Sequence, residues 1–331
     1  MIVVIRAGAS ESEVAAVVAR AHELGLTYHL SRGAERAIVI VSDADAAAVE
    51  AEFRALPAVE AVMPLTRPYR LSSREVHPTN TLVEAGGLII GTERPAIIAG
   101  PAAPTAPPDL IALATDLRAA GADALRVGVY RPQTALYGTP QLDPDALQRI
   151  EAARRASGLP IAATVLDAAD VPAIARYVDL LIVSGAHMSN RPLLQACGWS
   201  NRPVVLERGE SARLADWLQA ADHILACGNR QLVLCEAGIR TYEPATPATL
   251  DLAAVPLVRR VSHLPIVVAP ARGATERGTL EALACAAIAA GAHGLLLDVR
   301  DASTPDSAGT LAIDELARLV EKLHPLAAAL A

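Results

Sequence analysis

Aromatic side chains make up 3% of these 331 residues, with one phenylalanine and two tryptophans, while hydrophobic residues make up 52%. The core must therefore be built from Ala, Val, Leu and Ile. The four cysteines (Cys197, Cys227, Cys235, Cys285) include no CxxC spacing, which excludes a disulfide framework and a structural zinc site and leaves buried thiols as the expectation. No apolar run approaches the roughly 20 residues of a membrane span. Met1 leads straight into the strand-like IVVI without a basic segment or cleavage site, so a soluble, cytoplasmic protein is expected. Dense Lys/Arg runs are also missing, and a net charge of −7 disfavours nucleic acid and anionic lipid as partners.

What is present is a recurring unit. The stretch QLVLCEAGIRTYE, Gln231 to Glu243, is an apolar run of strand type that ends in charged and small residues. Such a run, too short for a helix, suits a strand buried on both faces of a parallel sheet. Seven other stretches look alike: Ala96 to Gly100, Ala124 to Val127, Ile161 to Leu166, Leu180 to Ser184, Val204 to Glu207, Ile266 to Pro270 and Gly294 to Val299. Each precedes a segment of helical composition, and eight β-plus-α units predict a TIM (β/α)8 barrel with its site at the C-terminal strand ends. Ahead of it, residues 1–68 read βαββαβ, the order of a small ferredoxin-like domain. Ser10 and Glu13 form a capping box there, and Gly25 stops the first helix. Residues 69–94 read as a linker and a hairpin around Gly86-Gly87 that plugs the bottom of the barrel, which occupies residues 95–331.

Specific motifs occur in order along the whole chain: RPYRLSSREVHP in the linker, IIAGP at the first barrel strand and LRVGVYRPQTALYG after the second. SGAHMSN follows the fourth, VVLERG lies at the fifth and CEAGIRTYE at the sixth, with TLDLAAVP and AAGAHGLLLDV beyond. On these motifs the chain resembles the type I 3-deoxy-7-phosphoheptulonate (DAHP) synthases, in the branch with an N-terminal ferredoxin-like regulatory domain. The resemblance implies condensation of phosphoenolpyruvate (PEP) with erythrose 4-phosphate at one divalent metal, the opening step of the shikimate pathway. It also implies a homo-oligomer, and an aromatic amino acid bound at the small domain.

The resemblance places the metal ligands, a Cys, a His, a Glu and an Asp, at positions that here hold Ala102, Arg272, Asp298 and Ala308. Methyl groups do not ligate and a guanidinium repels a cation, so no metal cofactor is expected. Substrate positions differ too: the lysine of KPRTS is Arg131, the arginine two residues on is Gln133, the fifth strand's lysine is Glu207, and the arginine of CERG is Ala237. What survives includes Arg126, Thr134, Arg208 and Arg240. Arg126, Arg131, Thr134, Arg208, Arg240 and Arg272 form the candidate anion-binding set, because guanidinium forks match phosphate and carboxylate. The alternative is that Arg208 and Arg240 knit the rim by pairing with Glu207, Glu236 and Glu243, with Arg272 and Arg300 solvated. His187 is a candidate general base and Asp298, paired with Glu236, a candidate acid/base group. Two functions compete. One is a noncatalytic paralogue that binds a small anionic or phosphorylated ligand or an intact partner synthase. The other is an enzyme: a metal-independent carbon–carbon-bond-forming transferase or aldolase with a changed substrate, or a residual DAHP synthase.

Overall fold

The computed structural model describes residues 1–32, 37–41, 46–63, 68–101, 106, 109–131, 140–276, 278–300 and 309–330. The chain divides into two compact units: Met1–Arg70 with Glu75–His77, and Leu71–Arg74 with Pro78–Ala331.

The first unit runs β1 (Ile2–Ile5), α1 (Glu11–Glu23), β2 (Tyr28–Arg32), β3 (Ala37–Val41), α2 (Ala46–Arg54) and β4 (Val59–Met63), the βαββαβ order expected from the sequence. Its strands form an antiparallel sheet in the order β2-β3-β1-β4. The capping box that starts α1 is formed: the Glu13 backbone N–H donates to Ser10 Oγ at 3.3 Å, and the Ser10 N–H donates to Glu13 Oε2 at 2.8 Å. α1 turns Val14, Val17 and Ala21 onto the sheet. With them the chain's one phenylalanine, Phe53, packs against Val3, Ile5 and Val39.

In the second unit, β5 (Val83–Ala85) and β6 (Leu88–Ile90) pair as a hairpin across Gly86 and Gly87, whose φ values of 58° and 94° require glycine-like freedom. Eight parallel strands then close into a barrel: β7 (Ala96–Gly100), β8 (Ala124–Val127), β9 (Ile161–Val165), β10 (Leu180–Val183), β11 (Val204–Glu207), β12 (Leu232–Glu236), β13 (Ile266–Val268) and β14 (Gly294–Asp298). Helices follow the strands: α3 (Leu110–Ala119), α4 (Pro144–Ser157), α5 (Val171–Ile174), α6 (Arg191–Trp199), α7 (Leu214–Ala226), α8 (Ala254–Val261), α9 (Thr279–Ala289) and α10 (Ile313–Leu330). None of these helices is long and apolar enough to cross a membrane.

The barrel interior is filled by every second strand residue. Ala96 and Ile98, Ala124, Ala162, Leu180 and Ile182, Val205, Val233 and Cys235, Val267 and Leu296 form one buried cluster, which also holds Val83, Ala85, Leu88 and Ile90 of the hairpin. The first inward residue of β7, β8 and β9 is an alanine, which leaves the room that the hairpin side chains take up. Two of the cysteines, Cys197 and Cys235, are buried as expected; Cys227 and Cys285 are half-buried, and all four are free. Among the few aromatics, Trp217 is fully buried and donates its Nε1–H to the Leu206 carbonyl at 3.1 Å.

Hairpin alternation gives a direct test of the plug. Ile90→Ala removes a side chain at 0% exposure and should cost about 2–5 kcal/mol, whereas Ile89→Ala, at 48% exposure on the opposite face, should stay within about 0.5 kcal/mol of wild type. Urea denaturation of the two variants measures both; equal losses would place the hairpin outside the core.

Candidate functional site

The alternation that fills the barrel also decides which polar side chains enter its C-terminal mouth. Two residues beyond inward Ala124, Val205 and Leu296 stand Arg126, Glu207 and Asp298, so a guanidinium and two carboxylates share the interior. Arg126 Nη2 donates to Asp298 Oδ1 at 2.5 Å and to the Gly100 carbonyl at 3.0 Å, with the two side chains only 12% and 18% exposed. Gly100 is needed for this approach: a Cβ there would lie 1.9 Å from the Arg126 carbonyl oxygen. Arg126 Nε is buried with no hydrogen-bond partner among the described residues. Glu207 Oε2 accepts the Gly185 N–H at 3.1 Å. Burial pushes the Glu207 carboxyl above the ordinary range; the Gly185 N–H and the charges of Arg126 and Arg272 pull against that shift, and Asp298 adds to it.

Arg208 does not face the mouth. It follows inward Glu207 and therefore points to the outer side of the wall, where it is 6% exposed. There Nη1 donates to Glu236 Oε2 at 3.0 Å and Asp251 Oδ2 at 2.8 Å, and Nε to the Ala212 carbonyl at 3.0 Å. Glu236 is fully buried, and its Oε1 accepts the Gly238 N–H at 2.8 Å. Its carboxyl is raised by burial, with Arg208 opposing. This triad ties the ends of β11 and β12 to the segment before α8. It also separates the expected acid/base pair, because Asp298 points inward to Arg126 and Glu236 outward to Arg208.

At the rim, Arg240 and Arg272 share one carboxylate, Glu210, in the loop after β11. Arg240 Nη2 reaches Oε2 at 3.0 Å and Arg272 Nη2 pairs with Oε1. The expectation that Arg272 is merely solvated fails on this ion pair, and Arg240 takes Glu210 in place of Glu243, whose Oε1 caps the Ala245 N–H. Arg300 pairs with Glu315 at 3.2 Å at the start of α10. Arg131 is exposed, just past Tyr130. His187 ends the short turn Gly185–His187 after β10, its Nδ1 3.0 Å from Ser184 Oγ, so the loop itself satisfies that nitrogen. Thr134, Ala102 and Ala308 lie outside the described residues. Among the described residues no three His, Cys, Asp or Glu side chains converge as a metal-ligating group. Glu210, which pairs with both rim arginines, is the residue that the sequence reading did not single out: it sits in a loop, where no periodicity assigns it a direction.

The family models then match almost end to end: the DAHP synthase ferredoxin-like domain over residues 1–67 and the DAHP synthetase I family over residues 73–324. The chain belongs to the DAHP synthetase I family. It is 35% identical over 333 residues to the phospho-2-dehydro-3-deoxyheptonate aldolase of Thermotoga maritima, covering 100% of this chain and 98% of that protein. The crystal structure of the Thermotoga maritima DAHP synthase superposes with a TM-score of 0.76 over 99% of this chain and 97% of that one, at 35% identity. More distantly, the chain is 26% identical over 193 residues to the 2-dehydro-3-deoxyphosphooctonate aldolase of Syntrophobacter fumaroxidans, covering 54% of this chain and 66% of that protein.

Within this DAHP synthetase I barrel the inner and outer charges should respond differently to change. Arg208→Ala leaves Glu236 buried without its cation and should cost about 3–5 kcal/mol, while Arg240→Ala, with a side chain 75% exposed, should cost about 1 kcal/mol or less. Chemical denaturation checks both, and a loss at Arg240 as large as that at Arg208 would overturn the assignment.

Glu207 gives a pH test. Because its folded pKa is raised, the folded state holds the proton more tightly than the unfolded chain does. Wild-type stability therefore falls as pH climbs from the ordinary carboxylate value through the raised one. Glu207→Gln removes that loss, so the variant should gain on wild type as pH rises above the ordinary carboxylate value. A stability difference that stays flat or runs the other way contradicts the assignment.

Proposed function

We propose that this chain is a noncatalytic member of the DAHP synthetase I family, which binds a small anion at its barrel mouth without a divalent metal. The observation that carries this reading is Arg272, a guanidinium paired with Glu210 at a position that the resemblance assigns to a metal-ligating histidine. Asp298 alone keeps an oxygen donor among the four positions that the resemblance assigns to the metal, and its carboxylate is engaged at 2.5 Å by a guanidinium. At a second of those positions Arg272 brings a positive charge, and Ala102 and Ala308 offer no donor atom. These residues do not fit a cation. Glu207 on the inner wall further opposes an anionic substrate deep in the barrel, where low dielectric amplifies like-charge repulsion. The rim differs: Arg240 and Arg272 bring two positive charges to one Glu210, which supports anion binding at the opening instead of the depth.

A second reading, a metal-independent carbon–carbon-bond-forming transferase or aldolase with a changed substrate, has one specific observation in its favour: Glu207 is a carboxyl with a raised pKa beside the charges of Arg126 and Arg272, the environment of a general base facing an enolate-stabilising cation. Its test is proton exchange at the carbon next to a keto acid's carbonyl, lost in Glu207→Gln.

Purified protein incubated with PEP, erythrose 4-phosphate and added Mn or Zn should form no detectable DAHP. Losing a catalytic metal removes several kcal/mol of transition-state stabilisation, and each 1.4 kcal/mol is about tenfold in rate. Elemental analysis should find well under one equivalent of transition metal, and a chelator should leave the Tm unchanged. Metal-dependent turnover by the unmodified chain, or one tightly held metal per chain, would refute the proposal.

A further inference from the structure

We infer that Glu210 is a tethered stand-in for a dianionic ligand, and that Arg240 and Arg272 form a phosphomonoester site at the barrel rim which opens when the Glu210 side chain swings out. The inference rests on the anion-binding reading above and assigns its site and ligand class.

Three separate segments build the seat. Glu210 follows β11, Arg240 follows β12, and Arg272 lies in the turn Pro270–Gly273 after β13. The two guanidiniums grip different oxygens of the one carboxylate, Arg240 at Oε2 and Arg272 at Oε1, so the seat is already shaped around an oxyanion with two acceptor atoms. The backbone holds this geometry without the carboxylate: the Arg240 N–H donates to the Glu210 carbonyl at 2.8 Å. When the Glu210 side chain leaves, its own main chain still fixes Arg240.

Charge decides the ligand class. Two guanidiniums against one carboxylate leave one positive charge uncompensated, and a phosphomonoester near neutral pH brings nearly two negative charges and three acceptor oxygens. Of the other charges near the seat, Glu207 interacts with Arg272 from the barrel side, which opposes an anion without filling the seat. Access and exchange are both possible. The side chains are 75%, 48% and 30% exposed for Arg240, Arg272 and Glu210, and a solvent-exposed ion pair holds by only about 0–1 kcal/mol, so an incoming dianion displaces it readily.

The test is calorimetric titration of the full-length protein with inorganic phosphate at low ionic strength. The variants are Glu210→Gln, Glu210→Ala, and Glu210→Gln combined with Arg240→Ala and Arg272→Ala, each checked for wild-type secondary structure and melting. Removing the tethered competitor should tighten phosphate binding about tenfold in both single variants, and removing the two arginines as well should abolish the gain. Wild-type binding that neither single variant changes would overturn the stand-in role while leaving anion binding intact. Tightening that survives loss of both arginines would place the seat elsewhere and overturn the site. Absence of phosphate binding in every protein would overturn the inference together with the reading beneath it.

Discussion

A ring of eight parallel strands has a single interior, and each strand sends every second side chain into it. Charges admitted there are largely withdrawn from bulk water, so they favour neutralising one another or being matched by a ligand. Here the mouth layer holds Arg126 against Asp298, with Glu207 beside them taking a backbone N–H. That compensation decides what the rest of the barrel end can do. Asp298 places one carboxylate oxygen on that guanidinium, while Arg272 is held at the rim by Glu210.

The same two-residue period explains how much of the site was legible in the sequence. The eight strands, the hairpin plug and the ferredoxin-like unit follow from apolar runs, a Gly-Gly turn and a capping box, all local signals. The motifs from RPYRLSSREVHP to AAGAHGLLLDV carried the family. Direction was the weaker point. Arg208 and Glu236 were grouped with the mouth because they stand at strand ends. Counting from inward Val205 and Val233, however, turns both outward, into a buried pair that Asp251 completes. Rim loops have no period to count from, so nothing in the sequence could tell whether Arg240 reaches Glu210 or Glu243, or that Arg272 reaches the same Glu210.

Buried and exposed arginines in this barrel have different physical roles, although all follow strand ends. Arg126 and Arg208 are fixed by partners that would be stranded without them, since an unpaired buried charge costs several kcal/mol. They serve as framework. Arg240 and Arg272 are held by a side chain that water can replace at little cost. The exchangeable positive charge of the mouth is therefore at its rim, while its depth is locked.

This division also bears on how such a site changes. In a metal-dependent barrel of this family the cation would provide the positive charge that interior carboxylates require. In this chain Arg126 supplies positive charge to both interior carboxylates, Asp298 and Glu207. Removing Arg126 would leave two carboxylates, Glu207 and Asp298, repelling each other without their shared cation. The charges at positions 126, 207 and 298 thus constrain one another, and replacing any one of them alone leaves a largely buried charge uncompensated.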